Sequence, residues 1–171
     1  MKAVRAKKFL GQHFLINEEI ARRITDLISN NNNKNILEIG PGMGVLTKYF
    51  REKDINLKLI EIDRESVLYL KNKIPQLKNN ILEKDFLKIN LKQLFSENIS
   101  IIGNFPYNIS SQILFKVYEN YEKVDIVVGM FQKEVAERVA SHSGRKKGIL
   151  SVLLQTFYDI EYCFSVDEDQ F

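Results

Sequence analysis

The sequence predicts an α/β fold in which a mostly parallel sheet carries helices on both faces. Short apolar runs that suit buried strands alternate along the chain with segments whose apolar residues recur at helical spacing. One run, Ile36 to Ile39, passes straight into three closely spaced glycines, Gly40, Gly42 and Gly44, and then into a helical pattern. A strand, a glycine turn and a helix in this order are typical of doubly wound sheets, whose parallel strands are joined by helices.

Composition is that of an ordinary globular domain. The chain has 171 residues, of which 44% are hydrophobic and 27% are charged, and this suits one domain. No apolar run approaches the roughly 20 residues that span a membrane, and no apolar signal core follows the basic N-terminus. The single Cys163 cannot form an internal disulfide, and with two histidines it gives no metal-ligand spacing. We therefore expect a cytoplasmic protein without a membrane or metal partner.

The N-terminal segment joins cations to apolar residues. The cations are Lys2, Arg5, Lys7 and Lys8. The following stretch, residues 9–15, contains two phenylalanines and two leucines, which favour docking on the domain over a frayed terminus. The net charge of +3 is too small to indicate a polyanion by itself, but this arm offers cations to a nucleic-acid backbone.

The remaining elements follow in order. Asn17 predicts the N-cap of a first helix that ends in the polar loop 30–33. Further helices are predicted at about 45–53, 65–73, 112–119, 131–140 and 149–157. Strands are predicted at 57–62, 80–83, 99–103, 124–130 and 159–166.

The glycine loop favours a nucleoside ligand without a pyrophosphate. Its spacing is G-x-G-x-G, not the dinucleotide pattern G-x-G-x-x-G, and Pro41 removes one amide donor. Glu61 ends the next predicted strand and lies 21 residues after Gly40, near the interval expected for a carboxylate that binds ribose hydroxyls. S-Adenosylmethionine is a ligand of this kind. The alternative is a tightly packed loop without a ligand.

The string from Asn104 to Tyr107 follows another strand and should lie at the same sheet edge. The amide oxygen of Asn104 and a backbone carbonyl near Pro106 can accept both N–H bonds of an exocyclic amine and turn it toward tetrahedral geometry. Tyr107 offers a face on which a base can stack. The alternative is a tight turn with a core tyrosine.

Asp85 follows a further strand end and has two interpretations. It can accept the adenine amine of the cofactor beside the ring of Phe86. Alternatively, Asp85 shapes a turn and Phe86 belongs to the core.

Four strings together resemble the ribosomal RNA adenine dimethylases, most closely the bacterial small-subunit type. They are Gly11 to Leu15, Glu38 to Gly42, Asn104 to Ser110 and Gln132 to Arg138. The resemblance implies a Rossmann-like class I S-adenosylmethionine-dependent methyltransferase. Its substrate would be two neighbouring adenosines near the 3′ end of small-subunit ribosomal RNA, in an assembling 30S particle, with the enzyme acting as a monomer.

The resemblance also implies the site residues. With the glycine loop, the cofactor contacts are His13, Leu15, Gly40, Gly42, Glu61, Asp85 and Asn104. Asn104, Pro106 and Tyr107 would present the target amine, and Phe131 would form a second apolar wall for the base.

Two departures from the family pattern are evident. His13 stands where many members have Asn. The sequence stops at Phe171, whereas the family continues with a proline-rich segment, one more strand and a small helical domain. Residues 1–171 are therefore expected to form the catalytic domain without that strand and helical domain. The predicted strand 159–166 would then lack a partner, and the fragment would bind cofactor yet methylate poorly.

Three other functions remain open. The basic arm and the cations at 145–147 suit a ribosome-assembly factor that acts by binding alone. The large-subunit adenine methylases of macrolide resistance share the Asn-x-Pro-Tyr string. A small-molecule methyltransferase is disfavoured by the basic arm and by the stacking tyrosine.

Overall fold

The sheet is wholly parallel and reverses its winding direction beside its central strand. The computed structural model describes residues 4–29, 33–51, 54–142 and 148–171. Its strands are β1 (Asn35–Ile39), β2 (Asn56–Glu61), β3 (Ile81–Glu83), β4 (Ile99–Asn104) and β5 (Val124–Met130), in the order β3-β2-β1-β4-β5. The chain adds β2 and β3 on one side of β1, then crosses to add β4 and β5 on the other. A doubly wound sheet has its ligand crevice at such a switch point, here between β1 and β4.

Helices cover both faces, as the sequence predicts. They are α1 (Glu18–Ser29), α2 (Arg64–Lys73), α3 (Leu91–Leu94), α4 (Ser110–Glu119), α5 (Lys133–Ala140) and α6 (Ile149–Gln155). Side chains alternate between the faces of a strand, so Leu37 and Ile39 of β1 join one apolar cluster with α3 to α6. Ile36 joins the other cluster with α1 and α2.

Local sequence signals explain where the helices begin. The Oδ1 atom of Asn17 accepts the Ile20 amide at 3.0 Å, which caps α1 as predicted. Asp63 caps α2 by accepting the Glu65 amide. Every residue of β4 from Ile99 to Gly103 is buried, in agreement with its near-continuous apolar run.

The predicted helix at 45–53 is wrong in extent and type over residues 45–51, and residues 52 and 53 lie outside the described part of the chain. A turn occupies residues 42–46, and only a short 3₁₀ helix, Thr47–Phe50, follows. The Gly44 amide donates to the Pro41 carbonyl at 2.8 Å, and Gly44 has a φ of +81°. Because the chain is still turning at Gly44 and must re-enter the sheet at Asn56, little length remains for a helix.

The predicted strand at 159–166 is also wrong. The C-terminal tail, residues 158–171, is irregular except for a 3₁₀ turn at Glu168–Gln170. It folds back toward the N-terminus, where the Gln170 carbonyl accepts the Ile16 amide at 2.9 Å and the Arg23 guanidinium lies 4.0 Å from the Phe164 ring centroid. Among the described residues β5 pairs only with β4. A strand needs a neighbouring strand to pair with, and among the described residues this tail pairs with none.

A cleft of about 1220 Å³ is lined by residues of β5 and of the tail, and also by His13, Tyr107 and Phe131. Within the part of the chain that the structure covers, each helix is too short or too polar to cross a bilayer.

Candidate active site

The loops that follow β1 and β4 adjoin each other at the switch point. An alanine Cβ built at Gly40 would lie 3.7 Å from Cδ of Pro106 and 3.9 Å from the Asn104 carbonyl oxygen. Parallel pairing of β1 with β4 brings both loops to the same edge. The structure therefore places the glycine loop and the Asn104–Tyr107 string side by side.

The glycine loop adopts a backbone that residues with side chains avoid. Gly40 and Gly42 have φ of +65° and +54°, in the left-handed region where a Cβ is strained. The Gly40 amide donates to the Ile60 carbonyl at 2.9 Å. The Gly42 amide donates to Oε2 of Glu61 at 3.1 Å. The loop is thus fastened to β2, the strand that carries the proposed ribose carboxylate.

Glu61 is buried, with 3% of its surface exposed. Its Oε1 accepts the Asp63 amide at 2.9 Å. Burial raises the pKa of Glu61, and hydrogen bonds from the amides of Asp63, Gly42 and Ile62 oppose part of this rise. An ionised carboxylate offers about four acceptor positions, so at least one remains for a ligand hydroxyl.

Glu38 is a second buried acid, to which sequence reasoning assigned no role. It is 1% exposed, and its Oε2 accepts the Thr47 hydroxyl at 2.8 Å. Burial raises the pKa of Glu38 to about 8, and the charge of Glu61 adds to the rise. The available signal was one acid inside the apolar run from Ile36 to Ile39.

Asp63 is the third buried acid of the site and forms an ion pair with Lys7 of the N-terminal arm. It is 4% exposed and accepts hydrogen bonds from Lys7 Nζ at 2.5 Å and Ser66 Oγ at 3.0 Å. Burial favours a raised pKa for Asp63, but the hydrogen bonds from Lys7, Ser66 and the Glu65 amide bring it below its ordinary value. Lys7 is thus paired within the domain, and the contact of the basic arm with a nucleic-acid backbone stays a prediction for its other cations.

The Asn104 amide has a defined orientation. Its Nδ2 lies 2.5 Å from the His13 carbonyl oxygen and donates to it. A carbonyl oxygen only accepts, so the amide cannot present its own oxygen there. Oδ1 therefore points away from His13 and accepts no hydrogen bond from the described residues.

Pro106 and Tyr107 continue this loop. Pro106 has φ −56° and ψ 128°, and its carbonyl accepts the Ile109 amide at 3.2 Å. The Tyr107 ring stacks on the His13 ring, with centroids 4.6 Å apart and planes inclined by 22°. One face of the expected stacking platform is thus covered by His13. Burial raises the pKa of Tyr107, so the ring carries a neutral phenol.

The other predicted site residues have mixed environments. Phe131 is half-buried and meets Phe105 edge-on at 5.1 Å, beside the cleft. Asp85 accepts the Leu87 amide at 2.9 Å, which is turn chemistry, while Phe86 is 3% exposed and lies in the core. Leu15 is 3% exposed and lies in the apolar cluster with α1 and α2, so its contact with the cofactor stays a prediction.

The residues present suit S-adenosylmethionine. The side-chain-free backbone at Gly40 admits close approach, and Glu61 has an acceptor position left. Three buried acids, Glu38, Glu61 and Asp63, lie along the ends of β1 and β2 with Lys7 paired to the last. Asp63 is neutralised by Lys7, and the raised pKa of Glu38 keeps that acid protonated at neutral pH. Glu61 is therefore the acid available to a ligand. Among the residues described, no group of His, Cys, Asp and Glu is arranged to hold a metal ion.

Curated relatives match the whole chain. A family model described as ribosomal RNA adenine dimethylase matches residues 3–171. The ribosomal RNA small subunit methyltransferase A of Flavobacterium johnsoniae is 54% identical over 173 residues, covering 100% of this chain and 66% of its own. That of Cytophaga hutchinsonii is 54% identical over 174 residues, with coverage of 100% and 67%. This chain thus spans about two thirds of the length of these relatives.

Solved structures agree in fold. The 23S rRNA methyltransferase ErmE superposes with a TM-score of 0.71 at 26% identity, covering 84% of this chain and 57% of its own. A dimethyladenosine transferase from Plasmodium falciparum gives 0.69 at 28% identity, covering 84% and 52%. The fold is the Rossmann-like fold of class I S-adenosylmethionine-dependent methyltransferases. By its sequence, over nearly its whole length, the chain belongs to the ribosomal RNA adenine dimethylase family.

Proposed function

We propose that residues 1–171 form the catalytic domain of a cytoplasmic, monomeric rRNA adenine dimethyltransferase. It uses S-adenosylmethionine to dimethylate the exocyclic amines of two adjacent adenosines near the 3′ end of small-subunit (16S) ribosomal RNA within an assembling 30S particle. The observation that carries the proposal is the Asn104 amide. Its nitrogen is committed to the His13 carbonyl, and its oxygen is left to accept a hydrogen bond next to the glycine loop.

Residues at the ends of β1, β2 and β4 would hold the cofactor. Glu61 accepts the ribose hydroxyls, and the backbone of Gly40 and Gly42 lies against the ligand. His13, Leu15, Asp85 and Asn104 complete its surroundings. When bound, S-adenosylmethionine supplies an electrophilic methyl group on a positively charged sulfur.

Two acceptors from this chain prepare the adenine amine. Asn104 Oδ1 accepts one N–H bond, and a backbone carbonyl accepts the other. The Pro106 carbonyl already accepts the Ile109 amide, so the Phe105 carbonyl is the better second acceptor. When both protons are drawn toward acceptors, the nitrogen lone pair is no longer conjugated with the ring and points at the methyl group. The product amine then releases its extra proton to water, so no strong general base is needed.

The aromatic residues hold the base. A target adenine must leave its stack in the RNA, which costs a few kcal/mol. Stacking of the adenine on the exposed face of Tyr107 offsets this cost by about 1–3 kcal/mol. His13 supports the other face of Tyr107, and Phe131 lies beside the cleft as the second wall. This arrangement presents the amine, not a ring nitrogen, to Asn104.

Transfer of labelled methyl groups to undermethylated small subunits tests the proposal, in a form extended C-terminally to the length of the relatives, because residues 1–171 alone are expected to methylate poorly. We expect Asn104→Ala to lower transfer by at least about 100-fold, the scale of a lost transition-state hydrogen bond. Asn98→Ala is the matched control, because Asn98 precedes the same strand and lies at the opposite edge of the sheet. Absence of transfer by the wild type, with cofactor binding verified, contradicts the proposal.

A second candidate is methylation of large-subunit RNA. The similarity in fold to ErmE, at a TM-score of 0.71, favours it. An assay of naked large-subunit RNA beside small subunits separates the two substrates. A binding-only assembly factor is distinguished by the same Asn104→Ala variant, which would then lose transfer yet retain subunit binding and the cellular phenotype.

A further inference from the structure

Residues 7–15 cross the carboxyl edge of the sheet as a continuous strap. On one side the strap contacts the loop after β4. The Tyr107 amide donates to the Gly11 carbonyl at 3.3 Å, and Asn108 Nδ2 donates to the Phe9 carbonyl at 3.2 Å. The strap also provides the His13 carbonyl that receives the Asn104 amide. These three bonds tie the loop that presents the target amine to the N-terminus.

The other contacts of the strap fall on the loops after β1 and β2. The Phe14 ring packs so closely on Gly42 that a Cβ there would lie 2.8 Å from Cε1. Lys7 Nζ lies 2.5 Å from Asp63 Oδ1 and 3.1 Å from Glu65 Oε2. The strap therefore touches the ends of three strands and links the two halves of the site.

The N-terminal end of the strap is held in place mainly by polar contacts and not by buried apolar side chains. Phe9 is 77% exposed, and the 3₁₀ turn Lys8–Leu10 contains no buried residue. By contrast, the Asp63 side chain is only 3% exposed and that of Lys7 is 25% exposed. An ion pair with one buried partner is screened less by solvent than a surface pair. The ion pair of Lys7 is thus a contact at this end that has a buried partner.

We propose that the Lys7–Asp63 ion pair is a latch that fixes the strap and, through the His13 carbonyl, the orientation of the Asn104 amide. Lys7 is then a positioning residue for methyl transfer. If the strap shifts, Asn104 Nδ2 loses its acceptor and the amide can rotate, which presents a donor where the adenine amine needs an acceptor. The catalytic assignment of Asn104 rests on the proposed function, whereas the mechanical link from Lys7 to the loop does not.

Hydrogen exchange on the cofactor-free chain tests the mechanical link. The variant Lys7→Met removes the charge and keeps most of the side chain. The matched control is Lys34→Met, because Lys34 pairs with Asp54 at the same 2.5 Å but at the amino edge of the sheet. We expect peptides containing Tyr107 to exchange at least about fivefold faster in Lys7→Met, with wild-type rates in Lys34→Met and in the rescue variant Lys7→Arg. Equal exchange in Lys7→Met and Lys34→Met overturns the latch.

Kinetics on undermethylated subunits, measured with the C-terminally extended form, test the positioning role. We expect Lys7→Met to lower kcat about tenfold or more while the KM for cofactor changes less than about threefold, because a misplaced acceptor affects transfer more than binding. Lys7→Arg should restore at least half of kcat. Unchanged kcat in Lys7→Met contradicts the positioning role. If the wild type transfers no methyl group, the proposed function fails, and exchange alone then decides whether the latch exists.

Discussion

The Glu61 carboxylate both shapes the glycine loop and offers an acceptor to a ligand. It holds the Gly42 amide at 3.1 Å from a position that is 3% exposed. We expect Glu61→Ala to weaken S-adenosylmethionine binding by about 1 kcal/mol or more, roughly fivefold in Kd, because a charge-assisted hydrogen bond is lost. Calorimetric titration measures it. The exposed Glu83, at the end of β3, provides the control Glu83→Ala. Equal affinity in the two variants would contradict the role of Glu61.

Glu38 makes stability depend on pH. Its pKa is raised from 4.5 to about 8 in the folded protein, so the folded state holds this proton more tightly than the unfolded state. The stability that the proton contributes is complete below about pH 4.5 and is lost as the pH rises through about 8.

Substitution of Glu38 tests this linkage. Glu38→Gln should therefore raise Tm relative to the wild type at about pH 8.5, and by clearly less at about pH 5.5. Thermal unfolding at both values measures the difference, with the exposed Glu97→Gln as control. A Tm difference between Glu38→Gln and wild type that does not grow with pH would show that Glu38 is not a buried neutral acid.

Among the elements, the glycine loop leaves different amounts of space for a side chain at its first two glycines. Gly40 and Gly42 share a positive φ, but an alanine Cβ at Gly42 would meet the Phe14 ring at 2.8 Å, whereas at Gly40 the nearest atom is 3.7 Å away. Both substitutions carry backbone strain of roughly 1–2 kcal/mol. Only Gly42→Ala adds a steric clash that displaces the strap.

Denaturant unfolding should therefore rank the two variants. We expect Gly42→Ala to lower the free energy of unfolding more than Gly40→Ala, by about 1 kcal/mol or more. Shortening Phe14 in the double variant Gly42→Ala/Phe14→Ala should make the two substitutions non-additive. Additive effects of the pair would show that Phe14 does not press on the loop.

At the scale of the whole molecule, RNA binding should depend on salt. The net charge is only +3, so local cations matter; those at 145–147 lie outside the described residues, and the described candidates lie at the carboxyl edge of the sheet. Arg5 and Lys8 are exposed beside the strap, and Lys133 is exposed at the cleft. Each phosphate contact contributes roughly 0.7–0.9 to the slope of log K against log salt concentration.

Binding of a small-subunit 3′-end RNA between about 50 and 200 mM salt checks this expectation. Lys133→Glu should reduce the slope by about one unit. The control Lys78→Glu lies in the 3₁₀ helix before β3, at the opposite edge, and should leave the slope unchanged. An affinity independent of salt would favour a small-molecule methyltransferase.

Most of the fold was predictable because its signals are local. The strands β4 and β5 are apolar runs of strand length, and Asn17 marks the start of α1 within three residues of its hydrogen-bond partner. The helix predicted at 45–53 failed because left-handed glycines keep the chain turning. The strand predicted at 159–166 failed because alternation of side chains does not supply a neighbouring strand.

The sequence suggests the residue types of the candidate site but not the connections between them. The glycine spacing, Glu61 and Asn104 point to their chemistry from sequence alone. The ion pair of Lys7 with Asp63 joins residues far apart in sequence, and so does the bond from Asn104 to the His13 carbonyl. Such contacts follow from how the strap crosses the strand ends, for which no local pattern exists.

The partner of the Asn104 amide is a main-chain atom, and every amino acid carries one. Replacing the side chain at position 13 therefore leaves that acceptor intact, provided the backbone keeps its path. Evolution is free to exchange the imidazole there, and with it the contact to Tyr107, without deleting the hydrogen bond that aims the amide oxygen. A one-residue insertion or deletion in the strap would instead disturb this hydrogen bond, since it would shift the carbonyl by a whole peptide unit.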